Sequence, residues 1–332
     1  MINEQNKCLS KYKFIDLFAG IGGFHYALKS FGAECVYASE WDKHAAKTYY
    51  QNFGVNPDGD ITEVEESKIP HHDILCGGFP CQAFSISGKQ QGFEDTRGTL
   101  FFDIVRIINY HHPKVLFLEN VKNLAKHDGG KTLKIILSTL DNIGYNVNYK
   151  VLNTSHYGLP QNRERIYIIA FRKDLNVKSF CFPNRPNTQT CLFDILEHNP
   201  KAKIINRNDI KIKEEYIGRK DLWGQIELLN KPIQIGIVNK GGQGERIYHP
   251  LGHAITLSAY GGGIGSKTGL YLVNNIIRKL SPRECARIQG FPDSFILHES
   301  DSQSYKQFGN SVSINVLQYI LIEINKSLQN NE

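Results

Sequence analysis

The chain has little of what marks secreted, membrane-spanning or disulfide-stapled proteins. Its opening residues, MINEQNKCLS, lack the charged start and apolar run of a signal peptide, and no later stretch approaches the length of a membrane span. A soluble, intracellular, cytoplasmic protein is therefore expected, with no membrane partner. Cysteine is sparse and scattered: Cys8, Cys35, Cys76, Cys81, Cys181, Cys191 and Cys285 form neither CxxC pairs nor Cys/His clusters at zinc-ligand spacing. No disulfide framework and no metal site is expected, and reduced thiols leave a cysteine nucleophile chemically available. Internal repeats and low-complexity tails are missing as well, which argues against solenoids and disordered arms. What is present is a chain of 332 residues, 41% of them hydrophobic, enough for one large domain or a full domain with a smaller partner. The formal charge of +6 fits a polyanionic partner, although many soluble proteins of this size are mildly basic for no specific reason.

The first half alternates short β-branched runs with amphipathic stretches, the pattern of a parallel sheet covered by helices on both faces. KFIDLF (13–18) reads as the first strand, a turn with Gly20, Gly22 and Gly23 follows, and Phe24, Ala27, Leu28 and Phe31 repeat at helical spacing until Gly32. ECVYASE (34–40), DILCGG (73–78), KVLFLEN (114–120) and RIYIIAF (165–171) read as further strands, and LFFDIVRIINY (100–110) as a helix between them. The class is α/β, doubly wound and Rossmann-like. From about Arg185 the texture changes, and residues 239–269 are too glycine-rich for a packed helix, which predicts a smaller, loop-rich β domain. Residues 311–328 carry Val312, Val316, Ile320 and Ile324 at four-residue spacing, one apolar face of a closing helix. The expected division is a catalytic domain over 1–190 completed by 305–332, a second domain over 191–280, and a connection over 281–304.

Several short motifs fall where strands end. DLFAGIGGF (16–24) puts glycines where a strand feeds a helix, so that backbone approaches a ligand; NAD, FAD, adenosylmethionine and a plain packing turn all satisfy it. Glu40, about twenty residues beyond those glycines, stands where an acid binds ribose hydroxyls or serves as a surface carboxylate. Asp60 suits an adenine amino group or an ordinary turn. In GGFPCQAFS (77–85), Pro80 holds Cys81 in a stiff loop after a strand, with little side-chain bulk to bury it. ENV (119–121) ends the next strand with a carboxylate, Glu119. QNRER (161–165) puts Arg163 and Arg165 at alternate positions entering a strand, which places them on one side of it.

The ordered set DLFAGIGGF, GGFPCQAFS, ENV, QNRER, RKLSPRECARIQGFPDSF (278–295) and YKQFGNSV (305–312) resembles the motif series of the DNA cytosine-5 methyltransferases, with coverage from Phe14 to Tyr319. The resemblance implies a sequence-specific enzyme that flips a cytosine out of duplex DNA and methylates carbon 5 with S-adenosyl-L-methionine, leaving S-adenosyl-L-homocysteine. Cys81 then adds to ring carbon 6, because cytosine carbon 5 is too poor a nucleophile to attack a sulfonium methyl unaided. A protonated Glu119 at ring nitrogen 3, its pKa raised by a dry pocket, stabilises the developing charge, and Arg165 faces the base carbonyl with Arg163 helping to position it. The implied cofactor residues are Phe18, Gly20, Ile21, Gly22, Gly23, Glu40, Trp41, Asp60, Ile61, Pro80 and Leu100, closed by Asn310, Ser311 and Val312.

Residues 85–95 resemble the family's mobile loop, with Ser85, Ser87 and Lys89 toward DNA. Ser87 and Gln243 are placed to fill the gap left by the flipped base, and Arg246, Thr256, Tyr260, Gly261 and Gly262 complete the DNA contacts. GGQGERIY (241–248) and AITLSAYGGGI (254–264) resemble the recognition segment of GCGC-specific members, which implies methylation of the first cytosine of GCGC. Departures at 249–253 and 265–266 leave flanking preference open. A restriction-modification setting follows, with a cognate nuclease as a functional partner only and a monomer as the working state. A tRNA cytosine-5 methyltransferase shares the nucleophile logic, and a DNA-binding regulator on an inactive fold is the non-enzymatic alternative. An NAD oxidoreductase leaves PCQ, ENV and QNRER together without explanation.

Overall fold

The computed structural model describes residues 8–80, 100–186, 188–216 and 230–329, and its backbone divides into two compact units. The first comprises Met1–Leu152, Glu164–Pro183 and Leu317–Glu332; the second comprises Asn153–Arg163 and Asn184–Val316.

In chain order the first unit begins with β1 (Lys13–Leu17), α1 (Gly23–Ser30), β2 (Glu34–Ser39), α2 (Lys43–Phe53) and β3 (Ile74–Gly78). It continues with α3 (Leu100–His111), β4 (Val115–Val121), α4 (Lys131–Asn142), β5 (Tyr145–Asn153) and β6 (Glu164–Arg172). The sheet order is β2-β1-β3-β4-β6-β5. Strand alternation sends successive side chains to opposite faces. Ile15, Leu17, Leu75, Leu116, Leu118 and Ile168 pack on one face with Phe101, Ile104 and Ile108 of α3 and Ile136 and Leu140 of α4. On the other face, α1 stacks Phe24 edge-on against Phe117 (5.0 Å between centroids) and His25 against Phe14 (5.4 Å). Each fully buried Leu, Ile or Phe of these two layers contributes about 1.5–3 kcal/mol.

The first four strands run parallel, whereas β6 runs antiparallel to β4, with Glu119 opposite Tyr167 and Val121 opposite Arg165. The sheet is thus mixed, where the apolar runs predict a wholly parallel one. Only residues 154–163 separate β5 from β6, too few for the helical crossover that a parallel connection uses.

The second unit holds a five-stranded sheet in the order β11-β10-β9-β8-β7, formed by β7 (Lys211–Ile212), β8 (Gln234–Ile237), β9 (Arg246–Tyr248), β10 (Leu270–Val273) and β11 (Ile276–Arg278). Its core is Ile205, Ile235, Val238, Ile247, Leu270 and Ile277. Past the sheet come α5 (Pro282–Ile288) and α6 (Asp301–Asn310), and then α7 (Ile314–Gln329), which from Leu317 on belongs to the first unit. Ser281 caps α5 reciprocally with Glu284, whose buried carboxylate also pairs with Arg278 at 2.7 Å. In α7, Val316, Ile320 and Ile324 are buried, and Gln318 donates to the Ser30 hydroxyl at 3.0 Å. Among the described residues no helix is long and apolar enough to cross a membrane.

Candidate functional site

The carboxyl edge of the first sheet collects most of the predicted cofactor residues. Where β1 ends, Phe18, Gly20 and Gly22 all adopt left-handed backbone (φ 54°, 56° and 85°). A phenylalanine with positive φ stores about 1–3 kcal/mol of strain, which surrounding contacts must hold in place. The clamp is Glu40. Its Oε2 accepts the Gly20 N–H at 2.7 Å, and its Oε1 accepts the Asp42 N–H at 2.8 Å. One buried carboxylate therefore ties the glycine turn to the end of β2.

Backbone bonds extend this edge toward Asp60. Glu40 N donates to Asp58 O at 2.8 Å and Ser39 Oγ to Gly59 O at 3.0 Å. Asp60 itself caps a short helical turn, its Oδ1 accepting from Thr62 N at 3.0 Å, so the carboxylate is locally engaged and solvent-exposed. Ile61 turns into the core beside the partly buried Phe18 and Leu100, while Trp41 stands 76% exposed. An exposed indole at a sheet edge offers a stacking face rather than core packing. Ile21 and Gly23 are buried in the turn, and Pro80 is exposed where β3 has ended.

Beneath the turn, Asp16 is wholly buried, and burial raises its carboxyl well above the usual carboxylate range, opposed by the His25 backbone N–H. From β1 it thus meets a backbone N–H in the first turn of α1, a helix whose N-cap Gly22 has no side chain to offer.

The second cluster lies where β3 and β4 end and β6 begins. Gly78 of β3 is in register with Glu119 of β4, and Glu119 pairs with Arg165 of β6, Nε to Oε1 at 3.1 Å. Both side chains are largely withdrawn from solvent, at 9% and 15% exposure, so their attraction is weakly screened. Asn120, whose role the sequence reading missed, is buried and donates through Nδ2 to Phe79 O at 2.8 Å, while its Oδ1 accepts the Val121 N–H. It thereby fixes the backbone that leads to Pro80. Only its place inside ENV signals it.

Cys81 itself lies outside the described residues, as do Ser85, Ser87 and Lys89. Of the remaining cysteines, Cys8, Cys35, Cys76, Cys191 and Cys285 have thiols pushed up by burial, Cys35 to about 12. Such thiols are poor sources of thiolate at neutral pH.

The two arginines of QNRER engage different partners. β6 starts at Glu164, so Arg163 immediately precedes the strand. Its buried guanidinium, in the second unit, donates to the carbonyls of Leu257 (3.1 Å), Gly309 (3.2 Å) and Ser311 (2.6 Å). Neighbouring Gln161 accepts the Leu257 N–H at 3.2 Å. Ser311 and Val312 are buried and Asn310 exposed, all within the second unit.

The predicted DNA contacts of that unit sit on two adjoining segments. Gly265 N donates to Gly244 O at 2.7 Å, which seats the loop of Gln243 against the loop of Tyr260, Gly261 and Gly262. Gln243, Arg246, Thr256, Tyr260, Gly261 and Gly262 are all exposed. A brace the sequence reading missed holds the Gln243 loop. Glu245 accepts from Gly242 N and Asn239 Nδ2, each at 2.9 Å, and Arg207 donates to Asn239 Oδ1 at 2.9 Å. Thr256 spends its hydroxyl on Asn162 O at 2.6 Å.

Comparison with known proteins matches this geometry to one family. The model of the C-5 cytosine-specific DNA methylases matches residues 12–326. The chain is 56% identical to the type II methyltransferase M.HhaI of Haemophilus parahaemolyticus, over 99% of this chain and 98% of that one. To M.HpaII of Haemophilus parainfluenzae it is 46% identical, over 93% and 87% of the two chains. Among solved structures, the S. pombe Dnmt2 methyltransferase superimposes with a TM-score of 0.68 at 20% identity, covering 96% of this chain and 99% of the other, a likeness of fold. With the match running through both sheets and every strand-end cluster described above, the chain belongs to the C-5 cytosine-specific DNA methylases and is a DNA (cytosine-5-)-methyltransferase.

Proposed function

We propose that this enzyme is the modification methyltransferase of a type II restriction-modification system, acting in the cytoplasm on double-stranded DNA at GCGC. It flips the first cytosine of that site out of the duplex and methylates carbon 5. The Glu119–Arg165 pair, at 3.1 Å on adjacent strand ends and in register with the strand that leads to Cys81, carries this reading. The GCGC target rests on the likeness of 241–248 and 254–264 to the M.HhaI type, which spans almost the whole of both chains.

S-adenosyl-L-methionine supplies an electrophilic methyl group when bound. The residues present fit it. A side-chain carbon at Gly20 would meet nothing within 4 Å, Glu40 offers a buried carboxylate beside that opening, and Trp41 offers an exposed aromatic face. Phe18, Gly20, Gly22 and Glu40 would hold it, with Asp60 toward the adenine amino group.

The chain's own residues then divide the work on the base. Thiolate addition of Cys81 to ring carbon 6 makes carbon 5 electron-rich. Protonated Glu119 donates to ring nitrogen 3 and Arg165 to the ring carbonyl, stabilising the negative charge that the addition creates. Once carbon 5 carries the methyl group, loss of its proton to water lets the carbon–sulfur bond break, which regenerates the thiolate and releases 5-methylcytosine. Gln243 and Ser87 fill the space that the flipped base leaves, and Arg246 reads guanine in the major groove. The enzyme works as a monomer and needs no stable complex with the cognate nuclease.

Transfer of labelled methyl groups to a GCGC duplex and to tRNA tests the proposal. Label in the duplex alone supports it, and label in tRNA alone overturns it.

A further inference from the structure

Tyr260 is 75% exposed and is followed by Gly261 and Gly262, so its position depends on the segment that precedes it. That segment is anchored from the protein interior. Arg163, 2% exposed, spreads its fork over the carbonyls of Leu257, Gly309 and Ser311 at 3.1, 3.2 and 2.6 Å. Gln161 takes the Leu257 N–H and donates to Ile288 O at 3.2 Å. Gly309 adds a close approach: a side-chain carbon there would lie 2.2 Å from Ala259 N and 2.4 Å from Ser258 C. Ser258 Oγ in turn donates a hydrogen bond to the Tyr260 carbonyl.

We infer that Arg163 is a specificity-positioning residue. Its planar fork registers residues 257–259 against the 309–311 turn and so sets where Tyr260 and its glycines meet the DNA. The inference rests on the reading that this face binds DNA, and it gives Arg163 a task separate from the target base. Lysine keeps the charge but replaces a rigid fork by a flexible stem with a point charge, so it cannot hold three carbonyls in one geometry. A well-formed base contact discriminates by about 5- to 150-fold, and such a contact tolerates only about 0.5 Å of displacement.

The test compares kcat/KM at a GCGC duplex with kcat/KM at duplexes in which one base pair of that site other than the target pair is changed, for the parent, Arg163→Lys, Gly309→Ala and Arg165→Lys. Arg163→Lys and Gly309→Ala should each narrow the ratio between matched and changed sites by about tenfold. Arg165→Lys, acting on the base itself, should lower both values in parallel and keep the parental ratio. If Arg163→Lys does not yield folded protein, Gly309→Ala decides by the same ratio. Parallel loss in the folded variant, with the ratio preserved, overturns the inference. Failure of the parent to methylate any of the duplexes would instead overturn the functional reading on which it rests.

Discussion

Replacing Glu40 by glutamine keeps the side chain's shape and changes one oxygen into an NH2 group. In the native protein both oxygens accept backbone protons, from Gly20 at 2.7 Å and from Asp42 at 2.8 Å. An amide satisfies one of these donors and turns its own N–H toward the other, so at least one charge-assisted hydrogen bond is lost, worth about 1.5–3 kcal/mol. The Gly20 turn carries left-handed backbone at Phe18, Gly20 and Gly22, and it relaxes when the clamp weakens. Where that loss falls on the bound state, the Kd rises roughly tenfold for each 1.4 kcal/mol. Calorimetric titration with S-adenosylhomocysteine should therefore show weakening of about 10- to 100-fold for Glu40→Gln and at least as much for Glu40→Ala, with affinity for DNA changed less. Parental cofactor affinity in a folded Glu40→Ala protein would refute the assignment of this carboxylate.

Cys81→Ser should abolish methyl transfer while cofactor binding persists, and peptide mapping after incubation with 5-fluorocytosine DNA should find the adduct on Cys81, because the fluorine cannot leave as a proton; an adduct on another cysteine would move the nucleophile. Arg246→Ala should lose about 1–3 kcal/mol of discrimination between GCGC and sites with an altered guanine, whereas equal weakening on all sequences would show a phosphate contact. His72 is buried and its pKa is pushed down to about 4, first by burial, whereas an unfolded imidazole titrates near its ordinary 6.5. The unfolded chain then binds more protons between those values, so stability falls as pH drops from 6.5 toward 4. Burial raises Asp16, whose contribution has the opposite sign, so the comparison that isolates the imidazole is the parent against His72→Gln, whose melting temperature should decline less steeply; identical slopes would contradict it.

Much of this was legible because the parallel strands are buried on both faces and read as short apolar runs bounded by glycine or acid. β5 was not. Its sequence, YNVNYKVLN, lies at the sheet edge with alternating and outward-facing polar residues, and it lacks the apolar run that marks the interior strands. The reversed direction of β6 follows from the same strand, since an unrecognised β5 hides the short connection before Glu164. At the site, Glu119 and Arg165 could be named because their motifs end or enter strands. What the Arg163 guanidinium holds was not legible, because Leu257, Gly309 and Ser311 lie far away in sequence. The supports at Asn120, Gln161 and Gly309 stayed hidden because each meets backbone far away in sequence, with no local pattern to betray the partner.

Bisulfite sequencing of plasmid DNA from cells expressing the chain tests the central claim most directly. The account predicts protection of the first cytosine in GCGC sites and none in cells carrying Cys81→Ser. Protection that survives in the Cys81→Ser cells, or DNA without any protected cytosine beside an expressed and folded parent, would contradict it.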